Sequence, residues 1–297
     1  MIKIGILSFT FYNQSAIIEM IEDYNFCKVI GVSYQEDIVM KDYTFPDINS
    51  NEDLVNEADI MVVVGAGSSQ VKVLYQIIRK SKHIFLINEN KFSPDETNDL
   101  IKLYEEANIN FVISQPHRIN PVFNVLEFNN QISFINITEN GIHNENEILL
   151  YNRLLDKVDM LLMIVKSNIY RISACSSSDE FINIRMEFNN AVNANITINQ
   201  LAEDNNSWVE ILSPGENMKI DLIKNEVYRI NKTRKGKIYN TKDFSSEMNG
   251  KSLLSKEFEL FLKSVSSGRI NQYNISDYHF ANILAEEILK KISYVLV

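Results

Sequence analysis

Three stretches of this chain hold residues whose type and spacing could do chemistry. The first is Ser8-Phe9-Thr10-Phe11-Tyr12-Asn13, which follows the apolar run at residues 3–7. A turn that leads from a buried strand into a helix can cradle phosphates if its backbone turns tightly and comes close to them, so such turns are rich in glycine. This one has no glycine and carries three aromatic rings. Phe9, Phe11 and Tyr12 read either as core or lid residues plugging the turn or as a stacking platform for a different ligand. The second stretch is His117-Arg118, just past a fifth apolar run, where open parallel sheets place their ligands. Arg118 could hold a ligand or pair with an acid. His117 could donate a proton or be an ordinary solvated loop side chain. The third is Asp156-Lys157-Val158-Asp159, inside an otherwise apolar helical segment. These charges read as a solvated or ion-paired helix face, although Asp156 could serve near neutral pH if it were strongly desolvated. Cys27 and Cys175 fit no metal or redox spacing, and His83, His117, His143 and His279 form no ligand-like pair, so no metal site is expected.

The elements that must position these residues follow from length and pattern. At 297 residues, with 45% hydrophobic and 23% charged residues, the chain is expected to form two globular domains. A net charge of −10 argues against nucleic acid as a partner, since phosphate binding depends on basic surface. The basic run at residues 232–237 (KTRKGK) reads as a solvated hairpin. The N-terminus enters a strand pattern at once, without the charged and apolar regions of a signal peptide, and the apolar segment 148–165 is broken by charges. The expectation is a cytoplasmic protein that does not engage a membrane.

Apolar runs at residues 3–7, 27–33, 60–64, 83–87 and 110–113 lack strict alternation, as parallel strands covered on both faces should. Helical patterns lie between them at 14–22, 69–80 and 95–107. The last has a clear start: Ser93 as N-cap, Pro94 in the first turn, Glu96 to complete a capping box. This alternation predicts a Rossmann-type doubly wound parallel sheet over residues 1–121. Beyond Pro121 the period changes. Strands are expected at 132–138, 169–175, 182–188, 192–200, 208–213, 218–222 and 226–230, with helices at 147–166, 253–265 and 277–295. Ile182, Ile184, Met186 and Phe188 alternate with polar residues, which predicts an open, mainly antiparallel sheet backed by helices in an α+β domain over 122–297.

Three segments carry a family likeness: Ala58-Asp59-Ile60-Met61-Val62-Val63 ahead of Ser68-Ser69, then Lys82-His83-Ile84-Phe85-Leu86, then Arg118-Ile119-Asn120-Pro121-Val122-Phe123. In order, spacing and domain layout the chain resembles the glucose–fructose oxidoreductase / inositol dehydrogenase family (Gfo/Idh/MocA). The resemblance implies an NAD(P)-dependent oxidoreductase, and it also shows what has changed. The family's Glu-Lys-Pro falls on Ile87-Asn88-Glu89, so Asn88 takes the place of the Lys, unless a two-residue slip brings in Lys91. The Thr-Pro turn falls on Gly65-Ala66, and the acid that ends the second strand falls near Tyr34. On the helix after the sixth strand, Asn152 takes the Asp position and Asp156 the His position of Asp-x-x-x-His.

Hydride transfer at an alcohol carbon needs a group that moves the hydroxyl proton. Asn88 and Asn152 cannot titrate. Asn88, Arg118, His117, Asn152 and Asp156 are therefore positional candidates for a catalytic or ligand site in an interdomain cleft. Ser8, Phe9, Thr10, Tyr34, Gly65 and Ala66 occupy the positions of the cofactor contacts. Two readings stand. In one, the protein is a non-catalytic homologue that binds a small molecule or a partner and holds no dinucleotide. In the other, it is an active NAD(P)-dependent reductase or dehydrogenase with a rewired site, as in biliverdin-reductase-like relatives of similar length that lack the Lys. Either way, a homodimer or tetramer through the exposed face of the second sheet is expected.

Overall fold

A computed structural model of the chain describes residues 1–10, 14–34, 50–87, 90–126, 132–141, 147–178, 180–233, 236–248, 251–269 and 275–293. Among these residues the chain forms sheets of five and eight strands and divides into two compact units. One unit is Met1–Gln115 with Leu254–Asn282; the other is Pro116–Leu253 with Ile283–Val297. A linear division at residue 121 does not describe this return of the chain. Its physical cause is the helix α6 (Leu253–Ser267), whose Phe258, Phe261 and Leu262 are buried in the core of the first unit.

The first unit is the expected parallel sheet. Strands β1 (Ile2–Ser8), β2 (Cys27–Tyr34), β3 (Ile60–Val64), β4 (His83–Ile87) and β5 (Phe111–Ile113) run in the order β2-β1-β3-β4-β5, all pairs parallel. Helices α1 (Gln14–Glu22), α2 (Asn51–Glu57), α3 (Val71–Arg79) and α4 (Pro94–Ala107) alternate with them. One face of the sheet buries Ile4, Ile6, Val62 and Phe85 with Ile17 and Ile21 of α1 and the aromatic rings of α6; Phe85 meets Phe258 edge-on at 5.1 Å between ring centroids. On the other face Gly5 allows close packing, since a Cβ there would lie 2.9 Å from Met61 Sδ and 3.0 Å from Leu54 Cδ1 of α2. Because both faces are covered, β3 and β5 are apolar and buried throughout, and β4 is so after His83. The order changes direction between β1 and β3, and that puts the ligand-binding crevice of a doubly wound sheet outside the carboxyl ends of these two strands.

The second unit holds β6 (Phe134–Asn140), β7 (Ile169–Ser178), β8 (Phe181–Phe188), β9 (Asn193–Asn199), β10 (Asn206–Ser213), β11 (Glu216–Asp221), β12 (Glu226–Thr233) and β13 (Gly236–Asp243). Their order is β13-β12-β11-β10-β6-β9-β8-β7, and only the β6–β9 pair is parallel. Ile182, Ile184, Met186 and Phe188 lie on the buried face, as the alternation requires. The basic run at 232–237 forms the end of the β12–β13 ladder, with Lys232 opposite Lys237; residues 234 and 235 fall outside the described residues. The long helix α5 (Glu147–Ile164) packs against β9 and against the short 3₁₀ turn Pro116–Ile119. A further helix, α7 (Ile275–Ser293), ends the described chain. No helix among the described residues is long and apolar enough to cross a membrane.

Candidate functional site

At the crevice of the first unit, the dinucleotide spacing G-x-G-x-x-G places Ser8, Thr10 and Asn13 on the three glycine positions. Ser8 ends β1 fully buried and its hydroxyl donates to the Thr10 carbonyl at 3.0 Å, while Phe9 N donates to Val64 O at 2.9 Å. These bonds hold the turn against the end of β3. Gly65, with φ of +71°, then turns the chain away; its N–H donates to Ile87 O at 2.8 Å and its carbonyl accepts from Asn90 Nδ2. The side chain of Thr10 lies directly over Gly65. A Cβ built on that glycine would be 2.6 Å from Thr10 Oγ1 and 2.9 Å from Thr10 Cβ. Thr10 Oγ1 itself is buried without a hydrogen-bond partner, which is costly, so packing rather than polarity keeps the side chain there.

The other cofactor candidates are less informative. Ala66 is fully buried, and Phe9 is half-buried. Tyr34 is the last residue of β2, opposite Ser8 in the register. Phe11, Tyr12 and Asn88 lie outside the described residues.

The second unit gathers most of the remaining candidates around α5. Asp159 is fully buried. Its Oδ2 accepts from His117 Nε2 at 2.6 Å and from Arg118 Nε at 2.7 Å, and its Oδ1 accepts from Arg118 Nη2. Burial pushes this carboxyl up, but the hydrogen bonds and charges of His117 and Arg118 outweigh burial and hold it below the usual carboxylate range. Of the two alternatives for Asp159, solvated or ion-paired, the structure shows the second, and Arg118 serves it as a bidentate ion-pair partner. Pro116–Ile119 curls into a 3₁₀ turn that presents both residues to the helix; Asn120 N closes it by donating to His117 O at 3.1 Å, and the Asn120 side chain caps the next turn, Pro121–Val125, by accepting from Val122 N at 3.1 Å.

Asn152, Asp156 and Asp159 follow one stripe of α5 at helical spacing. Asn152 is half-buried there. Asp156 retains accessible surface, yet its carboxyl is pushed up: crowding by surrounding protein is the largest cause, His117 and Lys157 oppose it, Asp159 and Glu139 reinforce it. The adjoining stripe is fully paired, since Glu139 on β6 takes Arg153 Nη1 at 3.0 Å and Lys157 Nζ. Lys157 therefore has the ion-paired role anticipated for it. Glu139 and Arg153 carried no signal in the sequence. Asp159 did: it stands between Val158 and Met160 in an apolar run, and an acid there must be paired.

No family model matches the sequence, and neither does any curated protein. Solved structures do. A UDP-N-acetylglucosamine 3-dehydrogenase from Acidithiobacillus ferrooxidans aligns with a TM-score of 0.83 at 14% identity, covering 100% of both chains. A dehydrogenase from Clostridium difficile aligns at 0.81 and 15%, covering 98% of this chain and 99% of the other. A levoglucosan dehydrogenase in complex with NADH aligns at 0.76 and 10%, covering 99% and 97%. The fold is that of the Gfo/Idh/MocA-type dehydrogenases. At such identities the likeness is one of architecture, and the chemistry has to be argued from this chain's own residues.

Proposed function

We propose that this oxidoreductase-like protein binds a small polar metabolite at the α5 site of its second unit and does so without a dinucleotide, as a homologue that does not transfer hydride. The observation that carries this reading is the Thr10 side chain packed over Gly65. The second glycine of the dinucleotide pattern exists so that backbone can approach the pyrophosphate, and Thr10 replaces it with a branched side chain. The residues present do not fit that group. At α5, by contrast, Asp156 offers a reachable carboxyl and Asn152 an amide, groups that can hydrogen-bond a hydroxylated ligand. The test is thermal shift against a library of sugars and small carboxylates, repeated with Asp156→Ala and Asn152→Ala. A compound that raises the melting temperature of the parent but not of the variants supports the reading. No response from any compound, or variants that respond like the parent, contradicts it.

A second reading is supported by the orphaned Thr10 hydroxyl. A buried donor or acceptor without a partner is a place where a phosphate oxygen could bind if the turn rearranged, and a structural neighbour, levoglucosan dehydrogenase, is a complex with NADH. On that reading the chain is an NAD(P)-dependent reductase or dehydrogenase with Asp156 as its proton-moving group. Dinucleotide binding separates the two.

A further inference from the structure

We propose that His83 is an acid-sensitive latch on the edge strand β5, closed while its imidazole is neutral and opened when the ring takes up a proton. The inference concerns the first unit and does not depend on what the second unit binds. β5 is three residues long and lies at the edge of its sheet, with Phe111, Val112 and Ile113 paired to Ile84, Phe85 and Leu86 of β4. Ahead of it the buried Asn110 adds a rung of a different kind. Its carbonyl accepts from Ile84 N at 2.9 Å, as in an ordinary ladder, but its N–H donates to the Nδ1 of His83 at 3.0 Å. A side chain thus takes the place of a backbone carbonyl at the end of the ladder.

A backbone N–H can only donate, so Nδ1 must be unprotonated and the neutral ring carries its hydrogen on Nε2. The imidazolium has no lone pair with which to accept. Protonation therefore sets two N–H groups against each other and takes this acceptor from Asn110 N in a buried place, where an unmet donor is costly. Burial of the ring also opposes the charged form and pushes its pKa down, with Asp59 working the other way.

Among the described residues Asp59, ahead of β3, is the charged group that bears on the ring. Its carboxylate accepts from Lys3 N at 2.8 Å and its carbonyl from His83 N at 3.4 Å. Lys82 turns its ammonium group to the Asn56 carbonyl, and Lys80, after α3, turns its own to Glu52. At the end of α4, Tyr104 packs on Phe111 and Glu105 bears on Tyr104. Residues 108–113 carry no titratable side chain. The far end of β5 is fastened independently: Ser114 N donates to Leu86 O at 2.8 Å, and Ser114 Oγ and Gln115 N donate to the buried Glu257 of α6. Acid therefore frees the amino end of β5 and leaves its carboxyl end in place.

Amide exchange of the full chain, read residue by residue by NMR and corrected for intrinsic rates, tests this from neutral pH down to about pH 4. Protection of the Asn110 N–H is expected to fall about tenfold, the worth of one hydrogen bond. The midpoint should lie below the ordinary histidine value of about 6.5, while Val62 in the central strand β3 keeps its protection. In His83→Asn the Oδ1 stands where Nδ1 stood, accepts from the same N–H and cannot titrate. That variant is expected to keep Asn110 protected across the range. Should it fail to fold, the imidazole nitrogen signals of the parent carry the test. His83 must then hold Nδ1 unprotonated at neutral pH and take up its proton over the same span in which Asn110 loses protection. Asn110 protection that does not change with pH, that falls together with Val62, or that falls in His83→Asn as in the parent overturns the proposal. So does an imidazole that titrates in a different span.

Discussion

Arg118 and Asp159 illustrate how a residue with the chemistry of a ligand contact can be fully occupied in holding the site together. Removing one partner of a buried pair leaves the other charge uncompensated, which typically costs about 3–5 kcal/mol. Arg118→Ala is therefore expected to destabilise the second unit by that order, read as a fall in the urea midpoint. Asp156 behaves in the opposite way. Its folded carboxyl is raised, so its contribution is fully present below the unfolded range, about pH 4, and is lost as pH rises through the folded value. Asp156→Asn should match the parent in stability at acid pH and exceed it at neutral pH and above. Equal urea midpoints across that range would show that the carboxyl is not desolvated. The residue scale is also where sequence reading was weakest. Asn88, Asn152 and Asp156 were placed by likeness to a family, but burial and pairing decide what a polar side chain does, and neither is written in a linear pattern.

At the scale of elements, local rules did most of the work. Ser93 accepts from Glu96 N at 3.2 Å and Glu96 returns the bond to Ser93 N at 2.8 Å, with Pro94 opening α4. Ser93→Ala is expected to cost about 1 kcal/mol, the usual loss for an N-cap, measured by chemical denaturation. The five parallel strands were legible because each is a short apolar run, and β8 because it alternates. Two elements were missed for identifiable reasons. The helix α2 is short and acidic, with two buried residues, Leu54 and Val55, though Ser50 accepting from Asp53 N at 3.1 Å gave it a start signal. The strand β13 is an edge strand in which Lys, Asn, Thr and Asp outnumber its two large hydrophobic residues, Ile238 and Tyr239, a polar composition that keeps edges from pairing with other chains, so its pattern resembles a loop. The return of α6 to the first unit was equally hidden, since an amphipathic pattern states that a face is buried but not against what.

For the whole molecule, the eight-stranded sheet buries its apolar face and carries Asn136, Thr138, Asn183, Asn195 and Thr197, all half-buried, on the other. We propose that copies of the chain associate through this second face as a homodimer or tetramer. Light scattering at micromolar concentration should return a mass above that of one chain, and a monomer would contradict the expectation. The central claim concerns the first unit: a dehydrogenase fold whose phosphate-binding turn is closed by its own threonine. Calorimetric titration of the full chain with NADH and with NADPH tests it most directly. The account predicts no saturable heat in the submillimolar range for either dinucleotide. Saturable submillimolar binding of one of them would contradict it, showing that the turn opens for a cofactor despite Thr10.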